Sequence, residues 1–164
     1  MTPRAEIVET GSRWAKAARI EVHAPAQAVF DVLADPAQHA AFDGSGTVRA
    51  QVSGPDRLAL GAHFGMSMRI KVPYRVDNTV VEFEEGRRIA WCHVNRHRWR
   101  YELESVGDGS TLVTETFDGR TALFPPSLLL INALANNQVA VAKTLVRLKA
   151  YVEQEPAMNQ GSPS

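Results

Sequence analysis

The chain holds one cysteine, Cys92, in 164 residues. That excludes an intrachain disulfide and a thiolate metal cluster, and it fits a reducing compartment. It has no surplus of charge: 18 Lys and Arg stand against 18 Asp and Glu. Gripping nucleic acid or an anionic surface as a main task needs excess positive charge, so no nucleic-acid partner is expected. No apolar run reaches the roughly 18 residues of a spanning helix. The greasiest stretch, Ala122 to Ala135, is broken by Pro125, Pro126, Ser127 and Asn132. Residues 1–16 lack the apolar core of an export signal, so the expected location is the cytoplasm, with no integral membrane segment. Gly44 and Gly46 lack the third glycine of a dinucleotide fingerprint, there is no P-loop, and no serine sits in a nucleophile elbow. No cofactor and no metal are expected.

What is present is an ordinary globular mixture, 45% apolar and 22% charged, of a length suited to one domain. The pattern places that domain at residues 16–155, between a flexible N-terminal arm (1–15) and a disordered tail (156–164). Ala18, Ile20 and Val22 alternate with Arg19, Glu21 and His23, the period of a half-buried strand. Pro25 fits the first position of a short helix, which Asp35-Pro36 ends, and a second short helix spans Ala37 to Phe42. Six strands follow, near Val48–Ser53, Ala62–Ile70, Tyr74–Glu84, Arg88–Val94, Arg98–Val106 and Thr111–Phe117. Their short, turn-rich links favour antiparallel pairing. Then Leu130, Leu134, Val141, Leu145, Leu148 and Val152 fall on helical steps, predicting one long amphipathic helix over Ser127 to Glu153. The sum is an α+β domain: a seven-stranded, curved antiparallel sheet wrapped around a long C-terminal helix, with two short helices after the first strand.

Four stretches resemble a known superfamily. Ile20 to Pro36 (IEVHAPAQAVFDVLADP) looks like the strand-to-helix opening of START-like SRPBCC proteins. Val81 to Trp91 (VEFEEGRRIAW), Trp99 to Glu104 and Asp108 to Phe117 resemble strands of its polyketide cyclase/dehydrase-like branch. The resemblance covers about Arg19 to Tyr151 and implies the helix-grip fold. It implies no fixed catalytic set, because the superfamily hosts binders, cyclases, hydrolases and chaperone-related modules. Where many members carry tryptophan this chain has Phe42, and Asp43-Gly44-Ser45-Gly46 follows, so a more mobile loop is expected there.

The strand phases put Phe64, Met66, Met68, Val81, Phe83, Ile89, Trp91, His93, Trp99, Tyr101, Leu103, Val113, Glu115 and Phe117 on the inner face. These residues read either as core or as the wall of a pocket between sheet and helix. The candidate ligand-binding set is Met66, Met68, Asn78, Trp91, His93, Trp99, Tyr101, Glu115, Phe117, Leu130 and Leu134. His93 and Glu115 are the candidates for proton transfer. For His93 the competing reading is a ring satisfied by backbone. For Glu115 it is a strand shifted by one, which would turn it to water. One of Asn78 and Thr79 must face inward. Arg96, His97, Arg98 and Arg100 read as a solvated face, and His93 and His97 as not sharing one.

The expected function is binding of a small hydrophobic molecule of lipid, polyketide or aromatic type. The first alternative is a cyclase or dehydratase acting in the same cavity. The second is a protein-interaction module that docks through Leu128 to Ile131. The oligomeric state stays open between monomer and homodimer.

Overall fold

The computed structural model describes residues 2–124, 126 and 133–159. Eight antiparallel strands form one sheet in the order β1-β2-β8-β7-β6-β5-β4-β3. They are β1 (Glu6–Val8), β2 (Ala15–Val22), β3 (Val48–Ser53), β4 (His63–Arg69), β5 (Pro73–Glu84), β6 (Arg88–Cys92), β7 (Arg98–Val106) and β8 (Ser110–Asp118). The helices are α1 (Ala26–Leu33), α2 (His39–Phe42) and the long α3 (Ala133–Asn159). This is the expected helix-grip arrangement with one strand more than the seven read from sequence. The extra strand is β1, from residues assigned to the arm. It pairs with β2, and Glu6 receives Arg19 Nε at 2.9 Å. Alternation over three residues is too short to register as a strand, which is why the pattern missed it.

Pro25 serves as the N-cap of α1, in extended geometry, one position before the place expected for it. The second short helix begins as a single 3-10 turn, Pro36–Gln38, capped by the Asp35 carboxylate on Ala37 N at 3.1 Å. α3 lies along β2 and β8. Leu134, Val141, Leu145, Leu148 and Val152 are buried beneath it, on the spacing the sequence predicts. The part of that pattern around Leu130 lies outside the described residues. At the other end the helix runs on to Asn159, into residues assigned to the tail.

Two expectations about strand phase need correction. Val81 does not face the core: Val80 does, because a bulge between Val80 and Glu82 shifts the register. Phe83 regains the inner side beyond the bulge and meets Phe30 edge-on at 5.4 Å. On the outer face, Arg98 and Arg100 are not simply solvated. Glu82 receives both, at 3.0 and 2.8 Å, and Asp118 receives Arg100 and Arg120. The Arg120 guanidinium holds the Asp118 carboxyl down to about 2.

The loop after Phe42, expected to be mobile, is strapped down. Asp43 accepts from Ser45 and from the backbone of Thr47 and Val48. Gly44 N donates to Thr144 Oγ1 on α3 at 2.9 Å, and Arg147 donates to the Asp43 carbonyl. A β-carbon on Gly44 would overlap the backbone of Lys143 and Thr144. Gly44→Ala is therefore expected to lower stability by about 1–3 kcal/mol through forced overpacking, read by urea unfolding. An unchanged midpoint would mean that the loop does not seat on α3.

Candidate functional site

Among the described residues, α3 lies against the β2 and β8 side of the sheet. The rest of the inner face is covered by α1, which packs on β7 and sets Phe30 against Phe83 of β5, by α2 and by aromatic side chains. Two residues of α2, His39 and Phe42, are three apart and so project from one face of its single turn. Both are buried. His39 stacks on Trp91 with ring centres 4.8 Å apart, and its Nε2 bonds the Leu33 carbonyl at 2.8 Å. Burial pushes the His39 imidazole down to about 4, so it is neutral at physiological pH. Phe64 meets both His39 and Trp91 edge-on.

Trp91 and Trp99 are directly paired across β6 and β7, and Trp99 is paired with Phe117 across β7 and β8. One step along, Tyr101 faces Glu115. Tyr101 donates its hydroxyl to Glu115 Oε1 at 2.9 Å. Glu115 is only 2% exposed, so the expected inward register holds and the shifted alternative falls. Its second oxygen, Oε2, is buried without a partner. Burial, with the Asp43 charge adding to it, raises this carboxyl well above the usual carboxylate range despite the Tyr101 hydrogen bond. Burial thus favours the neutral acid, with one of its oxygens unpartnered in the interior.

The open end of the sheet holds a second polar group. Asn78, not Thr79, points inward, and its Oδ1 lies 3.0 Å from His93 Nδ1. A side-chain partner, and not the backbone, therefore holds His93. His97 meets His93 at 4.7 Å between ring centres and also packs on Phe117. The β6–β7 hairpin folds both rings to one side, so the expectation that they share no face is corrected. His97 Nδ1 is buried and unpartnered, and burial, then the neighbouring His93, lowers this imidazole to about 4.

Of the remaining candidates, Met66, Trp91, Phe117 and Leu134 are buried, while Met68 and Trp99 are half-buried towards the open end. Leu130, with the rest of the Leu128 to Ile131 segment, lies outside the described residues. Sequence reasoning missed His39 and His97. For His39 the signal was its spacing from Phe42; for His97 it was the continuation of the Trp99 phase into the turn. Among the described residues, clefts open at the edges and outer side of the sheet. One of them, about 600 Å³, is bordered by Asp77, Thr79, Cys92, Val94 and Arg98, and also by His93 at the end of β6.

A curved antiparallel sheet gripping one long helix, with an aromatic inner face and buried polar groups, defines a helix-grip protein of the START-like SRPBCC type. The profile of the family described as "polyketide cyclase / dehydrase and lipid transport" matches residues 13–153, and the chain belongs to that family. It is 41% identical over 104 residues to uncharacterized protein Rv0088 of Mycobacterium tuberculosis, covering 63% of this chain and 46% of that one. The chain thus spans about half the length of the curated relatives it matches. Among solved structures it resembles protein Ms6760 of Mycobacterium smegmatis, with TM-score 0.69 and 14% identity, over 93% of this chain and 99% of that one. It also resembles the AHSA1-like protein of Aeromonas hydrophila, with TM-score 0.58 and 22% identity, over 85% and 94%. The Polyketide_cyc-like protein Cgl2372 of Corynebacterium glutamicum gives TM-score 0.59 at 17% identity, over 92% and 98%. These likenesses establish the fold.

The buried acid and imidazoles set opposite pH limits. Glu115, raised in the fold from 4.5, contributes stability that is complete below pH 4.5 and lost as the pH climbs towards its folded value. His39 and His97, lowered from 6.5 to about 4, contribute stability that is complete above pH 6.5 and lost as the pH falls towards 4. Glu115→Gln keeps a neutral hydrogen-bonding group without the titration. Its melting temperature should match wild type near pH 4 and exceed it by about 3 °C or more at pH 8. Equal melting curves at both pH values would mean that Glu115 is ionised in the fold.

Proposed function

We propose that the protein binds a small, largely apolar molecule carrying a carbonyl or hydroxyl oxygen, held between the sheet and α3. The observation that carries this is the Glu115 carboxyl, with Oε2 buried and unpartnered. Leaving a buried polar atom unsatisfied costs about 1–3 kcal/mol, a cost that a ligand oxygen would remove. Held neutral, the carboxyl is a donor, and Tyr101 fixes its orientation. The surrounding Met66, Trp91, Trp99, Phe117 and Leu134 supply apolar and aromatic contact, and the half-buried Met68, His93 and Trp99 lie at the end nearest solvent. The family's description, with lipid transport in it, supports the same reading. Rv0088, of unassigned activity, adds no ligand to it.

A second reading rests on the same acid. A neutral carboxyl beside a bound ketone is also a proton donor, and His93, lowered by burial, is a neutral base at the other end of the aromatic band. That pair would serve a cyclase or dehydratase. Glu115→Gln separates the readings, since the amide still donates a hydrogen bond and sustains binding but delivers no proton.

Native mass spectrometry of the protein as isolated is expected to show an apolar, oxygen-containing adduct. The naphthyl ketone prodan should bind wild type with the red-shifted emission of a hydrogen-bonded carbonyl. Glu115→Leu should weaken prodan about tenfold and shift its emission to the blue. The oxygen-free probe N-phenylnaphthylamine should bind both proteins alike. A protein that isolates empty and binds neither probe would sink the proposal.

A further inference from the structure

At the end of the sheet where the inner face is half-exposed, the β4–β5 hairpin runs past β6, while β3 stays beside β4 as far as Val48 opposite Met68 and the Arg69 N–H bonds the Thr47 carbonyl. β6 stops pairing at Cys92, opposite Thr79, whereas β5 starts at Pro73. The tip is Arg69-Ile70-Lys71-Val72-Pro73-Tyr74-Arg75. Its two most apolar side chains are its bare ones: Ile70 is 70% exposed and Val72 68%. Arg75 is paired with Asp77 at 2.8 Å. Arg69 and Lys71, on either side of Ile70, meet no acid among the described residues. Val94 and Leu123, on loops bonded to each other at the same end, are also exposed. The chain's zero net charge hides this local surplus.

We propose that this hairpin tip docks the protein on an anionic lipid bilayer. Ile70 and Val72 enter the interfacial layer, and Arg69 and Lys71 sit among the headgroups. Two apolar side chains alone hold a bilayer weakly, as do two cations alone. Reversible attachment takes both signals together, and this turn interleaves them. Tyr74, about two-fifths exposed at 39%, has an aromatic ring with a polar tip suited to the headgroup level. A second copy of the chain is the poorer occupant. A stable dimer buries about 800 Å² on each partner, and the few residues of a turn, Ile70 to Pro73, offer no face of that size. The attachment would turn the half-buried end of the inner face, with Met68, His93 and Trp99, towards the membrane. Docking does not depend on what the interior holds.

The test is co-sedimentation with vesicles of phosphatidylcholine mixed with phosphatidylglycerol, set against phosphatidylcholine alone. The full chain should sediment with the anionic vesicles and not with the neutral ones, and less so as salt rises. The double variants Ile70→Ser with Val72→Ser, and Arg69→Gln with Lys71→Gln, should each weaken binding by about tenfold or more. Titration with N-phenylnaphthylamine reads the interior separately and should be unchanged in both. Ile70→Trp adds a reporter without removing the apolar tip, and brominated lipid should quench its added fluorescence. The proposal is overturned by absent sedimentation, by binding that both double variants leave intact, by an unquenched tip tryptophan, or by a tip-dependent dimer in light scattering.

Discussion

One helix cannot cover an eight-stranded curved sheet, and the rest of the molecule follows from that mismatch. α3 is seated on β2 and β8. The inner surfaces of β4 to β7 must find other cover, and α1 supplies part of it through Phe30 while a single turn of helix adds His39 and Phe42. Aromatic rings complete the closure because they cover much area with few rotatable bonds. Within this aromatic band, His39, Trp91 and Phe64 pack as one group of rings and Trp99 on Phe117 as a second. A roof assembled from side chains can be displaced by a guest more cheaply than one made of packed backbone.

The strap between the α2 loop and α3 belongs to the same account. With so little of the sheet under the helix, the roof needs a fixed edge. Gly44 provides it by letting the loop backbone lie against that of Lys143 and Thr144, and Thr144 answers with its hydroxyl. Asp43 then closes the turn on itself through Ser45, Thr47 and Val48. Glycine here works through closeness of approach, not through backbone freedom. Read as composition alone, the same residues predict mobility, since Asp, Gly and Ser are also the vocabulary of loose loops.

That ambiguity marks where the sequence was legible. Period-two alternation placed seven strands, and helical spacing placed α3, because each signal repeats over many residues. The inward phase of Glu115 with Val113 and Phe117 was readable for the same reason, and so was its need for a partner, which Tyr101 meets. Val81 was misplaced because a bulge breaks the period without leaving a mark in residue type. β1 was too short to carry a period. His39 and His97 were overlooked for a different cause. Each lies outside a regular strand, and only the fold of the α2 turn and of the β6–β7 hairpin brings them against Trp91 and His93. Short-range pattern reports which way a side chain points within an element. It does not report which elements meet.

The strands that carry the polar interior also sort their charges by face. On the outer side of β5, β7 and β8, Glu82, Asp118, Arg98 and Arg100 are paired, with Arg120 joining from beyond β8. On the inner side the same three strands carry Asn78, Tyr101 and Glu115. Asn78 is uncharged by nature, and burial favours the neutral form of the other two. The physics asks for this division. An ion pair half in water is held at little cost, whereas an ion in a dry interior must be paid for by partners the aromatic band cannot offer. A neutral carboxyl escapes most of that cost and keeps its capacity to donate. The interior can therefore stay apolar enough to receive a greasy molecule while presenting one directed hydrogen bond, and the outer ion cluster links the strands without placing charge beside it. An ionised Glu115 would reverse both properties, repelling a ligand carbonyl and calling in water. The proposed binding at this face thus rests on the protonation state that burial favours for a single side chain.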